Sequence, residues 1–470
     1  MHVALLSAEF PPRWGGMGST VYHLSSSLAN RGHRVTVITR NSGGKTPRME
    51  GVRVLKVPWA RIPMAFTRSY GRWALRALEK LHYEDPVDVV HVHCPMISWS
   101  DAQFERCASK VAPVVSSMHG TWLGERDGLL LAAEQGEPAV WGNPNDMAIR
   151  YMAGRYARYE ESAIRKSAVV VPNSKATRTD LEQRYSAPVE WVCEVIHWGI
   201  DTDMFVPLHR DSEDAMHRFH ELRGRYGATA DSNFLLAVGR LAARKGHGML
   251  LRAFAKVVSE APDSHLVIVG RGNLRRKLAR MAGGLGVSDR VWFEPGMDFE
   301  EIAEMYRIAD LIVYPSYYEG QGLIPLEAMA SGTPVATVDH GPLPEMVDAS
   351  VGALFELGDA DSMAETILSE ISSKEALPAH GGQQQGGCSG VRVQQIQQSS
   401  FIEVGAYLIQ SDGSIDSQVR QLEANHFPNC PQGPTRAPDH QPVFRNHGVL
   451  DVVREPLENI FLRFSLNQYL

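Results

Sequence analysis

The segment Tyr314–Val335, YPSYYEGQGLIPLEAMASGTPV, constrains this chain more than any other. The apolar run Leu311-Ile312-Val313 leading into Tyr314 reads as a buried strand, and Pro315 to Gly322 as a loop of small residues. Good helix formers follow from Leu326 to Ala330, and Gly332 and Pro334 stop the helix. A loop at a strand's carboxyl end that opens into a helix aims backbone N–H groups and the positive end of the helix dipole at one point, where an anion such as a phosphate binds. Glu319 lies in the loop and Glu327 about a turn into the helix. Carboxylates beside a phosphate repel it unless they hold something else, such as the hydroxyls of a sugar.

Two glutamates with seven residues between them, set in PS-x-x-EG-x-GL-x-x-LEAMA-x-G-x-PV, resemble the donor-site signature of the retaining glycosyltransferases of family 4. The resemblance covers about residues 1–372. It implies an α/β chain of the GT-B type, with two Rossmann-like domains whose parallel sheets face across a cleft. The acceptor-side domain is expected over 1–196 and the donor-binding domain over 197–372. The implied reaction moves a hexosyl group from a nucleoside-diphosphate sugar to a hydroxyl of a glycan, a lipid-linked acceptor or a small molecule. It proceeds with retention and needs no metal or other cofactor. In that scheme Glu319 holds the hydroxyls of the transferred sugar and Glu327 those of the ribose, while Gly320, Gln321, Gly322 and Leu323 offer backbone donors.

The rest of the chain repeats the strand-loop-helix plan. His2–Ser7, the loop FPPRWGGMGS, an amphipathic helix ending at Gly32 and VTVIT read as a βαβ unit. Its glycines do not follow G-x-G-x-x-G, so a dinucleotide fingerprint is absent, and the resemblance places Gly15 and Gly16 against the donor's phosphate or the acceptor. In FLLAVGRLAARKGHGMLLRAF, Arg240 and Lys245 fall just before a helix, and two fixed cations there suit a diphosphate. Both match the family's GRL-x-x-x-KG. Gly270, in GRGN, is expected close to the nucleotide, with the base against the backbone near Met297.

His119 ends the strand PVVSSMHGTW, at the edge where open α/β sheets place ligands, and the resemblance puts it near the transferred sugar. The expected catalytic set is Glu319, His119, Arg240 and Lys245. His91 and His93 share a strand face; His93 reads as structural, and no third side chain is signposted that would make the pair a metal site. Asp201-Thr202-Asp203 is formally an Asp-x-Asp pair, but it sits in the hinge-like GIDTDMF and reads as a turn. Trp198 stands where the family commonly has asparagine.

A net charge of −7 argues against a nucleic-acid partner. Five scattered cysteines without a Cys-x-x-Cys spacing read as reduced thiols in a cytoplasmic protein. The start MHVALLSAEF lacks a basic region and reads as a strand rather than a signal peptide. Between 59 and 82, Arg68, Arg72, Arg76 and Lys80 recur every four residues beside aromatic side chains. This reads as a core-facing helix with a solvated basic face; the alternative is peripheral contact with the inner face of an anionic membrane. Beyond 372 the resemblance stops. Thirteen of the 17 glutamines follow residue 380 and no lysine follows Lys374, so 373–470 is expected to be a divergent, poorly ordered tail, appended in this lineage or produced by a shifted reading frame. Without the family's closing helices, two rivals stand beside the transferase: a nucleotide-sugar epimerase on the same fold, and an impaired sugar-nucleotide-binding subunit.

Overall fold

The computed structural model describes residues 1–12, 15–188 and 191–376, and its strands form two six-stranded parallel sheets. The first holds β1 (His2–Leu6), β2 (Arg34–Arg40), β3 (Val52–Val57), β4 (Val89–Cys94), β5 (Val114–Met118) and β6 (Val169–Pro172). The second holds β7 (Asn233–Val238), β8 (Ser264–Val269), β9 (Val291–Glu294), β10 (Leu311–Tyr314), β11 (Val335–Val338) and β12 (Gly352–Phe355). The helices of the first half are α1 (Gly16–Asn30), α2 (Ala65–Glu84), α3 (Asp101–Lys110), α4 (Trp122–Glu134), α5 (Pro144–Lys166) and α6 (Lys175–Arg184). Those of the second are α7 (Glu213–Gly224), α8 (His247–Glu260), α9 (Arg275–Gly284), α10 (Phe299–Ile308), α11 (Leu323–Ala330), α12 (Leu343–Met346) and α13 (Ala360–Ala376).

Runs such as HVALL in β1 and SHLVIV in β8 are buried at every position, as parallel strands covered on both faces require. The strand orders are β3-β2-β1-β4-β5-β6 and β12-β11-β10-β7-β8-β9. Each order reverses direction once, between β1 and β4 and between β7 and β10. Such a switch point splays the loops at the carboxyl edge and opens a crevice for a ligand. Register fixes the pairs: Val3 lies opposite Val35 and Val89, and Leu311 opposite Leu235.

The two halves share apolar packing. Trp122, Leu129, Ile149 and Tyr156, from α4 and α5, belong to one buried cluster with Phe234, Leu250 and Phe254 of the second half. Two local expectations change. Helix α1 begins at Gly16, so Gly16 and Gly18 lie in its first turn rather than in the preceding loop. Helix α11 begins at Leu323, three residues before the run of strong formers. Helix α4 forms over Trp122–Glu134 although Gly124 and Gly128 weaken the helical signal there; both glycines have a packing role. Helix α2 buries Tyr70, Ala74, Leu75, Leu78 and Leu81 and leaves Arg68, Arg72, Arg76 and Lys80 exposed, the solvated-face arrangement. Among the described residues no helix is long and apolar enough to cross a membrane. The expected tail lies, from residue 377 on, outside the described residues, as do Cys388 and Cys430.

Candidate functional site

At the second switch point the loop after β7 meets the loop after β10. Gly246 joins them: its φ is 69°, which favours glycine, and a Cβ there would strike the Pro315 carbonyl. Tyr317 N–H donates to the Arg244 carbonyl at 2.8 Å, so the backbones run together. This brings the Lys245 ammonium onto the Glu319 carboxylate. The Tyr314 hydroxyl donates to Glu319 at 2.6 Å and accepts from Lys245 at 3.2 Å. Beside this triad Arg244 pairs with Glu125 of α4 at 2.9 Å.

The electrostatics favour a charged pair. Burial pushes the Glu319 carboxyl up, but Lys245 and Arg244 outweigh it and hold Glu319 at about 2. Burial lowers Lys245 to about 8 against the pull of Glu319, so both partners are ionised at pH 7. Arg240 is exposed and makes no ion pair among the described residues; its positive charge also acts on Lys245 and on Asp146 at the start of α5. Burial raises Asp146 to about 6.

Glu327 sits apart from the ion pair. Among the described residues its carboxylate accepts from the Tyr306 hydroxyl alone, at 2.8 Å, and burial raises it to about 7. Tyr314 lies within the field of both glutamates. Gly322 caps α11, which places Leu323 in the first turn. The buried Gln321 side chain is turned to the hinge: its carbonyl accepts from Trp198 N–H at 2.7 Å and its amide donates to the Trp198 carbonyl at 2.8 Å. Gly320 packs on the backbone of His119, whose carbonyl a Cβ would strike. Gly270 follows β8, its N–H bonded to the Glu294 carbonyl at 3.0 Å, and Met297 is half-buried in the loop after β9. Gly15 and Gly16 start α1 at the first sheet's switch point. The structure thus joins Lys245 to Glu319 and Gly320 to His119, and among the described residues no side-chain bond ties Gly15, Gly16, Arg240, Gly270, Met297 or Glu327 to the ion pair. Asp201 accepts from the N–H groups of Asp203 and Met204 at 3.0 and 3.1 Å, a turn as expected.

Sequence reasoning missed how the loop is held. The Tyr318 ring lies on Gly120 and Gly124 and its Cβ on Gly128, so a Cβ added at any of the three would meet this side chain, and the Tyr318 hydroxyl accepts from Thr121 N–H at 2.6 Å. Glycines four apart along α4 were the available signal. The Gly320 carbonyl accepts from the Ser174 and Thr177 hydroxyls at 2.6 and 2.9 Å. Two carboxylates cap helices across the halves. Glu137 accepts from Gly248 and Met249 N–H at 2.9 and 2.6 Å, and Glu345 from Lys175 and Ala176 N–H at 2.9 and 2.7 Å. Tyr318→Ala should therefore lower stability by about 2–4 kcal/mol through the emptied slot, read by chemical denaturation. Gly124→Leu, which fills the ring's place, should cost at least as much. Unchanged denaturation midpoints in both variants would show that this contact does not hold the halves together.

Comparison with known proteins places this geometry. The family model for Glycosyltransferase Family 4 matches residues 14–204, and that for Glycosyl transferases group 1 matches residues 219–381. An uncharacterized glycosyltransferase of Methanocaldococcus jannaschii is 30% identical over 391 residues, covering 80% of this chain and 91% of its own. A D-inositol 3-phosphate glycosyltransferase of Mycolicibacterium smegmatis is 31% identical over 384 residues, covering 77% and 79%. Among solved structures, the sucrose-phosphate synthase of Thermosynechococcus elongatus aligns with a TM-score of 0.66 at 21% identity, covering 90% of this chain and 99% of its own. WaaG, a glycosyltransferase of lipopolysaccharide biosynthesis, aligns with a TM-score of 0.63 at 22% identity, covering 87% and 100%. The chain belongs to the family 4, group 1 glycosyltransferases and has their GT-B fold.

Proposed function

We propose that this glycosyltransferase moves a hexose from a nucleoside-diphosphate sugar to a polyol or sugar hydroxyl, with retention, in the cytoplasm. The observation that carries the reading is the buried Lys245–Glu319–Tyr314 triad at the switch point. The pair is buried and charged, so a second anion can take the carboxylate's place as the counter-charge of Lys245. An incoming diphosphate replaces Glu319 as the partner of Lys245, and Glu319 is released to accept hydroxyl protons of the sugar. Arg240 supplies a second cation, and the N–H groups of Gly322 and Leu323 at the start of α11 complete the anion cradle.

As the bond from the anomeric carbon to the phosphate oxygen breaks, its electron pair passes to the diphosphate and the sugar gains oxocarbenium character. Lys245, Arg240 and the dipole of α11 stabilise that growing charge from fixed positions, without a metal. The acceptor oxygen bonds to the anomeric carbon and its proton leaves to the departing phosphate. Glu327 holds the ribose hydroxyls, the backbone at Gly270 and Met297 lines the base, and Gly15 and Gly16 approach from the facing sheet. His119 borders the transferred sugar. The resemblance supports retention. The mycolicibacterial relative is named for D-inositol 3-phosphate, which supports a polyol acceptor, and the structurally similar HepE was solved with UDP and glucose, at 17% identity and a TM-score of 0.59, which supports a hexose donor.

The test is to incubate the purified protein with UDP-, GDP- and ADP-hexoses, with and without inositol phosphates and simple sugars. Released nucleoside diphosphate and a new glycoside of unchanged anomeric configuration by proton NMR are expected. An isomerised donor would make the protein an epimerase, and binding without turnover an impaired binding subunit.

A further inference from the structure

Beside the transfer point lies a column of rings that the reaction scheme leaves unused. His91 and His93, two apart on β4, stack with centroids 4.5 Å apart. His93 Nδ1 lies 2.9 Å from His119 Nε2. The other side of the column is Trp198, whose ring is nearly parallel to His119 (5°) at 5.3 Å, and whose backbone is clamped by Gln321 of the loop that carries Glu319. The His91 ring nitrogen Nε2 meets the Ser117 hydroxyl at 2.6 Å. Burial lowers His91 to about 4, His119 to about 3 and His93 well below its ordinary value, so each ring carries a single proton at neutral pH.

We propose that His93 is the positioning residue for His119, donating from Nδ1 to His119 Nε2 and thereby holding the His119 proton on Nδ1. The inference rests on the reading of this cleft as the donor-sugar site. A contact between two singly protonated rings has two patterns. If His119 were the donor, the His93 proton would sit on Nε2, an atom that is enclosed and has no partner among the described residues. Trp198 Nε1, an obligate donor, is also enclosed and unpartnered, and the two rings are 6.0 Å apart. That pattern leaves two orphaned N–H groups in one small space. If His93 is the donor, its Nε2 becomes a bare acceptor beside the single orphaned donor of Trp198. His93 Nε2 lacks a partner in either pattern, but as a bare acceptor it faces the Trp198 N–H with an attractive dipole where a second N–H would repel it, and an orphaned buried donor is the rarer arrangement, so the second pattern prevails. It fixes His119 Nδ1, which bonds to no described residue and is not among the enclosed orphans, as an N–H donor available to a sugar hydroxyl.

Two measurements decide it. In protein labelled with 15N-histidine, with His119 assigned by its loss in His119→Asn, Nδ1 should resonate as a protonated nitrogen and Nε2 as a bare one; the reverse overturns the proposal. This readout needs no activity, so it stands apart from the transfer assay, in which a wild type inert with every donor would overturn the transferase reading instead. For His93→Leu, kcat should fall about 10–100-fold with the donor KM within about threefold, because His119 loses its orientation rather than the donor its site. In His93→Asn the amide N–H replaces Nδ1–H, and kcat should return to within about threefold of wild type. Equal losses in both variants, or a raised donor KM in each, would make His93 a packing residue only.

Discussion

Lys245→Ala is expected to lower kcat/KM by about 10²–10³-fold, the loss seen when one preorganised group facing a developing negative charge is removed. The same change strands Glu319 in a buried place beside Tyr314, which should destabilise the protein by about 3–5 kcal/mol. The two effects are separable. In Lys245→Met/Glu319→Gln neither buried charge remains, so most of the stability should return while activity stays low. Chemical denaturation and steady-state kinetics on the same preparations read both. A double variant that recovers turnover along with stability would mean that Lys245 serves packing and not the leaving group.

Glu327→Gln should weaken donor binding by about 10–100-fold, since a charge-assisted bond to ribose is worth about 1.5–3 kcal/mol. The pH dependence is the sharper signature. Burial raises free Glu327 to about 7, and ribose hydroxyls bind its carboxylate, so donor Kd should rise about tenfold for each pH unit below 7 until the bound-state pKa is reached. Without donor the sign is opposite. A carboxyl raised in the fold contributes stability that is full below its unfolded value near 4.5 and is lost as pH rises through about 7. Glu327→Gln should flatten this group's part of both profiles. Calorimetric titration from pH 5.5 to 8 checks this, and a Kd in wild type that ignores pH would remove Glu327 from the ribose site.

Much of this was legible in the chain because its signals are local. The apolar run into Tyr314, the small-residue loop and the stops at Gly332 and Pro334 specify a strand, loop and helix without help from the rest of the chain. Lys245 could be matched to Glu319 because each stands in a loop that ends a recognisable strand. The contacts that close the halves leave no such trace. A carboxylate at Glu137 that caps a helix 111 residues away looks in sequence like any surface glutamate. The spacing of Gly124 and Gly128 marks a bare helix face but not its occupant, Tyr318, which comes from the other half. Gln321 sits inside the donor signature, yet its side chain serves the Trp198 backbone, a pairing decided by how the hinge passes the loop.

The most direct test is a crystal structure with a nucleoside diphosphate bound. The Lys245 ammonium should have turned from Glu319 to a diphosphate oxygen at about 2.8 Å, with the ribose hydroxyls on Glu327. A nucleotide whose diphosphate lies elsewhere while Lys245 still sits on Glu319 would contradict the account.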